Sequence, residues 1–278
     1  MLVRTGALLA IAAVLAASCG ARQTSESLRP AAATVRPTTP AALADVIRSG
    51  KIRVAFNRQN IACFQWYQGP ISGPCVDIAL ELTEQMRVQI DDRQYDSIDL
   101  VFDAGRRDEW DVAFTAIEGG RSGFAFTPAY LEIENTYLVP GGSPFTSVVD
   151  VDRPGVRVAV FSPSAIERYL RQNLTNATLV PLMAGGISAA AALIERGQVD
   201  AYAGSRDELV KGGYRLAGGR VLADSITRTQ WGIAVASGRT DLLAYVSRFV
   251  DSAKNAGVVQ EAIDRNDLKG ARRVIALG

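Results

Sequence analysis

The side chain with the clearest capacity for chemistry is Arg121, which follows a run typical of a buried strand. That run, Trp110 to Ile117, reads Trp-Asp-Val-Ala-Phe-Thr-Ala-Ile and leads through two glycines to the arginine. A guanidinium offers two parallel N–H donors to a carboxylate, so an arginine in a loop at a strand end suits the binding of a small anion. The alternative is a solvated surface arginine, the commoner environment of this residue type.

The composition excludes several kinds of catalytic and metal-binding site. The 278 residues include no histidine. This excludes Ser-His-Asp and Cys-His catalysis and the usual zinc sites, whereas carboxylate-based enzymes stay open. The absence of histidine nevertheless favours binding over catalysis, and we expect no catalytic residue, no metal and no cofactor. A net charge of +1 gives no electrostatic case for nucleic acid.

The first nineteen residues are typical of an export signal. Arg4 precedes an apolar run, Ala7 to Ala17, that is too short to cross a bilayer of about 30 Å. The small residues before Cys19 resemble a bacterial lipoprotein signal, which implies that this cysteine carries the lipid, including palmitate. Ala16 stands where that signal usually has leucine, and the alternative is an ordinary cleaved signal peptide. Residues 20–40 are small and polar and predict a flexible tether.

Two further cysteines, Cys63 and Cys75, flank a segment rich in glycine and proline. Outside the cytoplasm such a pair is a candidate for a disulfide, and closing a loop of about 13 residues would stabilise the fold by roughly 3 kcal/mol. Two buried free thiols are the alternative. The intervening residues are typical of a turn that can bring the two ends together, which favours the disulfide.

Strands and helices alternate along the remaining chain. Lys51–Phe56 is typical of a strand and Val76–Val88 of an amphipathic helix, and a strand at Asn135–Val139 leads into a Pro-Gly-Gly-Ser-Pro break. The alternation restarts after residue 144 and continues to a strand at Gly232–Ala236, followed by a tail of one or two helices with a break near Gly257. This order predicts an α/β fold of mostly parallel strands, built as two similar lobes.

Three stretches together resemble the family 3 extracellular solute-binding proteins, the receptors of polar amino-acid ABC importers. The first is Gly50–Asn57, which is similar to the opening strand and ligand loop of that family. The second, Ser72–Leu82, is similar to a helix start, and the third is Trp110–Ile117 followed by Arg121 and Phe126–Tyr130. The resemblance covers about residues 41–270.

The resemblance implies two Rossmann-like lobes joined by a two-strand hinge, with a ligand held in the cleft between them. Lobe 1 would comprise residues 41–139 and 230–278, and lobe 2 would comprise residues 144–226. Ligands in open α/β sheets bind beyond the carboxyl ends of the strands, and closure of two such lobes is a hinge motion that buries the ligand.

Several residues of the first lobe are implied to bind the ligand. Arg121 matches the family arginine that holds the ligand carboxylate, and Asn57 matches a polar residue of the ligand loop. Asn60 and Phe64 follow in the same loop, although Phe64 is equally well explained as a core residue. Thr115 ends the strand before Arg121, where alternation can also turn it into the core.

The second lobe departs from the family pattern. An aspartate that pairs with the ligand's α-amino group is replaced by Ser205, and a neutral hydroxyl cannot supply that charge. Either Asp207 or a backbone carbonyl substitutes for this aspartate, or the ligand lacks an amino group. If Arg206 faces the cleft, the site would suit an acidic solute. Ser162 and Ser164 can donate to the ligand from the start of a helix, and Ser164 also suits a simple N-cap. In the first lobe, Ala116 occupies a position where the family often has Ser or Thr.

Together these features predict a monomeric, lipid-anchored receptor on the outer face of the cytoplasmic membrane or in the periplasm. It would pass a small polar, anionic or amino-acid-like solute to ABC permease subunits without catalysing a reaction. Two alternatives stay open: an enzyme of lyase or dehydratase type on the same fold, and a ligand sensor for a separate signalling partner.

Overall fold

The computed structural model describes residues 41–60, 63–64, 71–119 and 121–274. The predicted export signal, with Cys19, and the predicted tether lie outside the described residues. Eight helices occur in the described part: α1 Ala41–Ser49, α2 Pro74–Met86, α3 Ile98–Arg106, α4 Ala165–Asn173, α5 Gly186–Glu195, α6 Arg206–Gly212, α7 Thr240–Asn255 and α8 Val258–Arg265.

Eleven strands accompany these helices and form one sheet within the described residues. They are β1 Lys51–Asn57, β2 Gln89–Tyr95, β3 Val112–Ala116, β4 Phe124–Phe126, β5 Leu131–Val139, β6 Arg157–Phe161, β7 Thr178–Leu182, β8 Ala201–Ser205, β9 Arg220–Val221, β10 Thr227–Ala236 and β11 Ala271–Arg273. The main path runs β2-β1-β3-β10-β5-β8-β6-β7.

Local signals account for several helix boundaries. The hydroxyl of Ser97 accepts a hydrogen bond from the Leu100 amide at 3.2 Å and starts α3, and Ser164 starts α4 in the same way through the Glu167 amide at 3.1 Å. Gly257 separates α7 from α8 with a φ of +87°, a backbone conformation that glycine adopts at little cost. The break predicted near Gly257 is therefore confirmed.

Two groups of parallel strands within this sheet define two lobes. In the first lobe β1 pairs in parallel with β2 and β3, and in the second β6 pairs in parallel with β7 and β8. The first lobe buries one apolar core beneath α2, α7 and α8 and another beneath α3. The second lobe has its own apolar clusters on both sides of β6 and β8. The predicted α/β fold with two lobes is confirmed, but the prediction of mostly parallel strands is wrong. Among the described residues four strand pairs are parallel and six are antiparallel, because β5 and β10 pair antiparallel with their neighbours.

Strands β5 and β10 connect the lobes, and both are longer than the sequence predicted. β5 pairs with β10 over Leu131–Asn135 and with β8 over Asn135–Leu138, so it changes partner at Asn135. The added residues alternate polar and apolar: Leu131 and Ile133 are buried, and Glu134 on the other face pairs with arginines. The lobe boundaries given above stay predictions.

Candidate functional site

A cavity of about 450 Å³ lies between the two lobes, at the carboxyl ends of the parallel strands. From the first lobe it is lined by the loop after β1, the start of α3, the end of β3 and Glu118 beyond it. From the second lobe it is lined by the starts of α4, α5 and α6, and β5 and β10 contribute from the strands between the lobes. Open α/β sheets bind small ligands at this edge, and the volume is within the usual range for such sites.

The polar lining is mostly uncharged. It includes the amides of Asn57, Gln59, Asn60 and Asn135, the hydroxyls of Thr115, Ser164, Tyr202, Ser205 and Thr229, and the indole of Trp231. Several of these groups already have partners: Asn135 donates to the Thr229 hydroxyl at 2.8 Å, and the Ser164 hydroxyl donates to the Phe161 carbonyl at 2.7 Å.

Two carboxylates, Glu118 and Glu208, also line the cavity, and no lysine or arginine is among its described lining residues. Glu118 is nine-tenths buried and accepts from Arg121 Nε at 2.7 Å on its own lobe. Its second oxygen accepts from Arg168 on α4, across the cleft. Glu118 therefore joins the two lobes through paired charges. Burial lowers the pKa of Arg168, while the charge of Asp99 opposes that change.

Glu208 has a different environment. It lies in the first turn of α6, and its carboxylate accepts from the Tyr202 hydroxyl at 2.9 Å. Burial raises the pKa of Glu208 to about 7, and the charge of Asp207 adds to the rise. Hydrogen bonds from Tyr202 and from the Ile187 amide act in the opposite direction. No basic side chain pairs with it among the described residues, so it is the cavity carboxyl without a counter-charge.

The cavity lining also includes Trp231, whose indole N–H is unsatisfied. Its side chain is 4% exposed, and its Nε1–H has no hydrogen-bond partner among the described residues. Buried donors without partners are rare and usually mark a group that a ligand or water satisfies.

Five of the ten ligand-binding residues predicted from the sequence line the cavity: Asn57, Asn60, Thr115, Ser164 and Ser205. Thr115 is buried yet still reaches the cavity, because it stands at the open end of β3. The two serines serve as N-caps, Ser164 of α4 and Ser205 of α6, which accepts from the Glu208 amide at 3.3 Å.

Arg121 is not part of the lining. Its Nε donates to Glu118 at 2.7 Å and its Nη1 to Asp99 at 2.9 Å, while the guanidinium lies 4.6 Å from the ring centre of Phe102. The group is mostly buried, with 18% of the side chain exposed. Its role as a clamp for a ligand carboxylate stays a prediction, because protein carboxylates occupy two of its donors here.

The structure corrects four other predictions that placed a side chain in the cleft: those for Phe64, Ser162, Arg206 and Asp207. Phe64 is buried in the core, with its ring 5.1 Å from that of Phe56. Ser162 lies outside the lining, and its amide bonds to the Leu182 carbonyl as an extension of the β6–β7 pairing.

Arg206 and Asp207 are the other two corrections. Arg206 binds Glu134 at 2.7 Å and the carbonyls of residues 222–224. Asp207 is buried and accepts from the Lys269 amide and the Lys211 ammonium, both at 2.8 Å. Both side chains are therefore held by the C-terminal segment and the β9–β10 connection, away from the cavity.

The structure adds Glu118, Asn135, Glu208 and Trp231 to the predicted set. The spacing of Ser205-Arg206-Asp207-Glu208, an N-cap followed by an acidic residue three positions later, indicates a helix start but does not indicate that Glu208 faces the cavity.

Cys63 and Cys75 are joined in a disulfide, with their Cα atoms 5.1 Å apart. Gly73 lies against it with a φ of +120°, and a Cβ at this position would come within 2.6 Å of the Cys63 carbonyl oxygen. The bridge fixes the start of α2 against the loop that follows β1.

The described residues contain no group of three or more His, Cys, Asp or Glu side chains placed to hold a metal ion. Within the same part of the chain, none of the helices combines the length and apolar character needed to cross a bilayer.

Comparisons with known proteins find similarity in structure. No family model matches the sequence, and no curated protein is significantly similar to it. An ancestral amino acid-binding protein, a precursor of cyclohexadienyl dehydratase, superposes with a TM-score of 0.68 at 20% identity, covering 81% of this chain and 99% of its own.

Two bacterial proteins show the same similarity. An amino acid ABC transporter substrate-binding protein from Streptococcus pneumoniae, bound to L-arginine, has a TM-score of 0.68 at 17% identity, covering 84% of this chain and 100% of its own. The solute receptor for L-cysteine of Neisseria gonorrhoeae has a TM-score of 0.69 at 16% identity, covering 83% of this chain and 95% of its own. The chain thus has the two-lobed α/β fold of the type II periplasmic binding proteins, the fold that its sequence resemblance predicted.

Proposed function

We propose that this chain is the extracytoplasmic substrate-binding component of an ABC importer and that it captures a small amino-acid-like solute between its lobes. The observation that carries the proposal is the cavity itself, which both lobes line at the carboxyl ends of their parallel strands. Polar groups there have hydrogen-bonding capacity that a solute can use, including the unpartnered indole N–H of Trp231.

The charges of the lining favour a zwitterion over a simple anion. The described lining residues include two carboxylates and no basic residue. Glu118 is paired with arginines but Glu208 is not, so an anion without a positive group would meet an unbalanced like charge at Glu208. One reason to consider an acidic solute was Arg206, which binds Glu134 instead. Arg121 is the proposed partner of the solute's carboxylate, which would replace the exposed Asp99 on its guanidinium.

Delivery of the solute would depend on how the chain is anchored and on its membrane partner. Lipidation at Cys19, followed by a tether over residues 20–40, would hold a monomeric receptor at the outer face of the cytoplasmic membrane. Membrane contact would be through the lipid alone, and the partner would be the membrane subunits of a permease. Lobe 1 at residues 41–139 and 230–278 and lobe 2 at residues 144–226 would close over the solute without catalysing a reaction.

A thermal-shift screen of amino acids, dicarboxylates and other small acids tests the proposal. A ligand that binds only the folded protein stabilises it by RT ln(1 + [L]/Kd), or about 2.7 kcal/mol at one hundred times Kd. Arg121→Ala should abolish the shift and leave the unliganded protein folded. If no amino acid shifts the transition, or if a bound solute is converted to product in a turnover assay, the proposal is wrong and an enzyme or sensor takes its place.

A further inference from the structure

The two carboxylates of the cavity wall differ in how their charge is balanced. Glu118 contacts two guanidinium groups, those of Arg121 and Arg168. Glu208 receives hydrogen bonds from the Tyr202 hydroxyl and the Ile187 amide, both uncharged donors. A carboxylate removed from bulk water without a cation is unstable, and it either keeps a proton or acquires a positive partner.

The neighbours of Glu208 leave its carboxylate accessible from the cavity. Gly204 and Gly186 lie beside its two oxygens, and a Cβ at Gly204 would come within 2.9 Å of Oε2. A Cβ at Gly186 would lie 3.6 Å from Oε1. Any larger residue at position 204 would press on the carboxylate, so the glycine there leaves the carboxylate its present place in the cavity wall.

Resting on the proposed function, we propose that Glu208 decides which solutes the cavity accepts by binding a cationic nitrogen of the ligand. The ligand nitrogen supplies the positive charge that no basic side chain among the described residues provides to this carboxylate. Glu208 lies in the first turn of α6, three residues after the N-cap Ser205, and from that turn its carboxylate reaches the cavity.

This role makes binding depend on pH. Below about pH 7 the unliganded carboxyl holds a proton, which the ligand cation must displace. Two titratable groups act on the Glu208 carboxyl: Tyr202 on β8 and Asp207 on α6. Helix α5 faces this carboxyl with its backbone and uncharged side chains. Affinity should therefore fall about tenfold for each pH unit below 7, and it should be constant above this range.

The test is titration calorimetry with L-alanine, L-leucine, L-glutamate, L-lysine and L-arginine. Each α-amino acid is compared with the matching carboxylic acid that lacks the α-amino group, and putrescine represents a cation without a carboxylate. Wild type, Glu208→Gln and the control Glu195→Gln, which removes an exposed carboxylate at the end of α5, are measured at pH 5.5 and 8. Buffers of different ionisation enthalpy report proton release.

We expect the best probe to carry a cationic nitrogen and, at pH 8, to bind at least about 100-fold more weakly to Glu208→Gln, as when a buried charge loses its partner. Wild type and Glu195→Gln should release nearly one proton on binding at pH 5.5, and Glu208→Gln should release none. Equal binding of a deaminated acid that has no cationic nitrogen, as for alanine, leucine or glutamate, or equal affinity of Glu208→Gln with no proton release by wild type, would overturn the inference and leave solute capture intact. Failure of every probe to bind wild type would instead reject the proposed amino-acid-like solute, and the inference with it.

Discussion

Replacing Glu208 by glutamine should stabilise the unliganded protein at neutral and higher pH, although we expect it to destroy solute binding. The carboxyl has a pKa of about 7 in the fold against an ordinary value of 4.5, so the folded protein holds this proton more tightly than the unfolded chain does. The contribution to stability is complete below pH 4.5 and is lost as the pH rises to about 7.

The magnitude follows from the two pKa values. At about 1.4 kcal/mol for each pH unit, the interval from 4.5 to about 7 corresponds to at most about 3 kcal/mol. Glutamine has nearly the shape of the protonated acid and does not ionise. The free energy of unfolding of Glu208→Gln, relative to wild type, should therefore increase by about 2–3 kcal/mol between pH 4 and pH 8.

Urea unfolding of both proteins at several pH values measures this difference, since every other titrating group is common to the two. The exposed Glu195, exchanged for glutamine, controls for loss of one negative charge. A difference between Glu208→Gln and wild type that does not change with pH would refute the reasoning, because it would show that the Glu208 carboxyl titrates alike in the folded and unfolded chains.

Three further predictions concern neighbouring features. Tyr202→Phe removes a donor to the Glu208 carboxylate, so the pKa of Glu208 should rise further and the pH midpoint of solute binding should move upward; an unchanged midpoint would contradict the role of this hydroxyl. Glu118→Gln leaves Arg121 and Arg168 without their shared carboxylate. It should weaken the contact between the lobes by about 2 kcal/mol, seen as a larger radius of gyration in X-ray scattering, whereas Arg171→Gln, which breaks a pair within α4, should not. Replacing both Cys63 and Cys75 by serine should cost about 3 kcal/mol and lower Tm by about 6–12 °C, and the same loss should follow reduction of wild type.

The alternation of strand and helix determined the fold class, because the periodicity of apolar residues is a local property of the sequence. Local signals also placed Ser164 as a helix cap and Gly257 as a break. Strand β5 was predicted too short: glutamate, at positions 132 and 134, is uncommon in strands, although its alternation with Leu131 and Ile133 is typical of one. Pairing with β10 and ion pairs to distant arginines such as Arg228 make those residues a strand.

The sequence also indicated that the turn after β8 contributes to the site, but it could not select the residue. Arg206, Asp207 and Glu208 are consecutive in the first turn of α6, so their side chains point in directions about 100° apart. The rotation of that helix is set by remote contacts: the Leu222 carbonyl holds Arg206, and the Lys269 amide holds Asp207. Tertiary packing thereby turns Glu208 toward the cavity, and no local pattern carries that information.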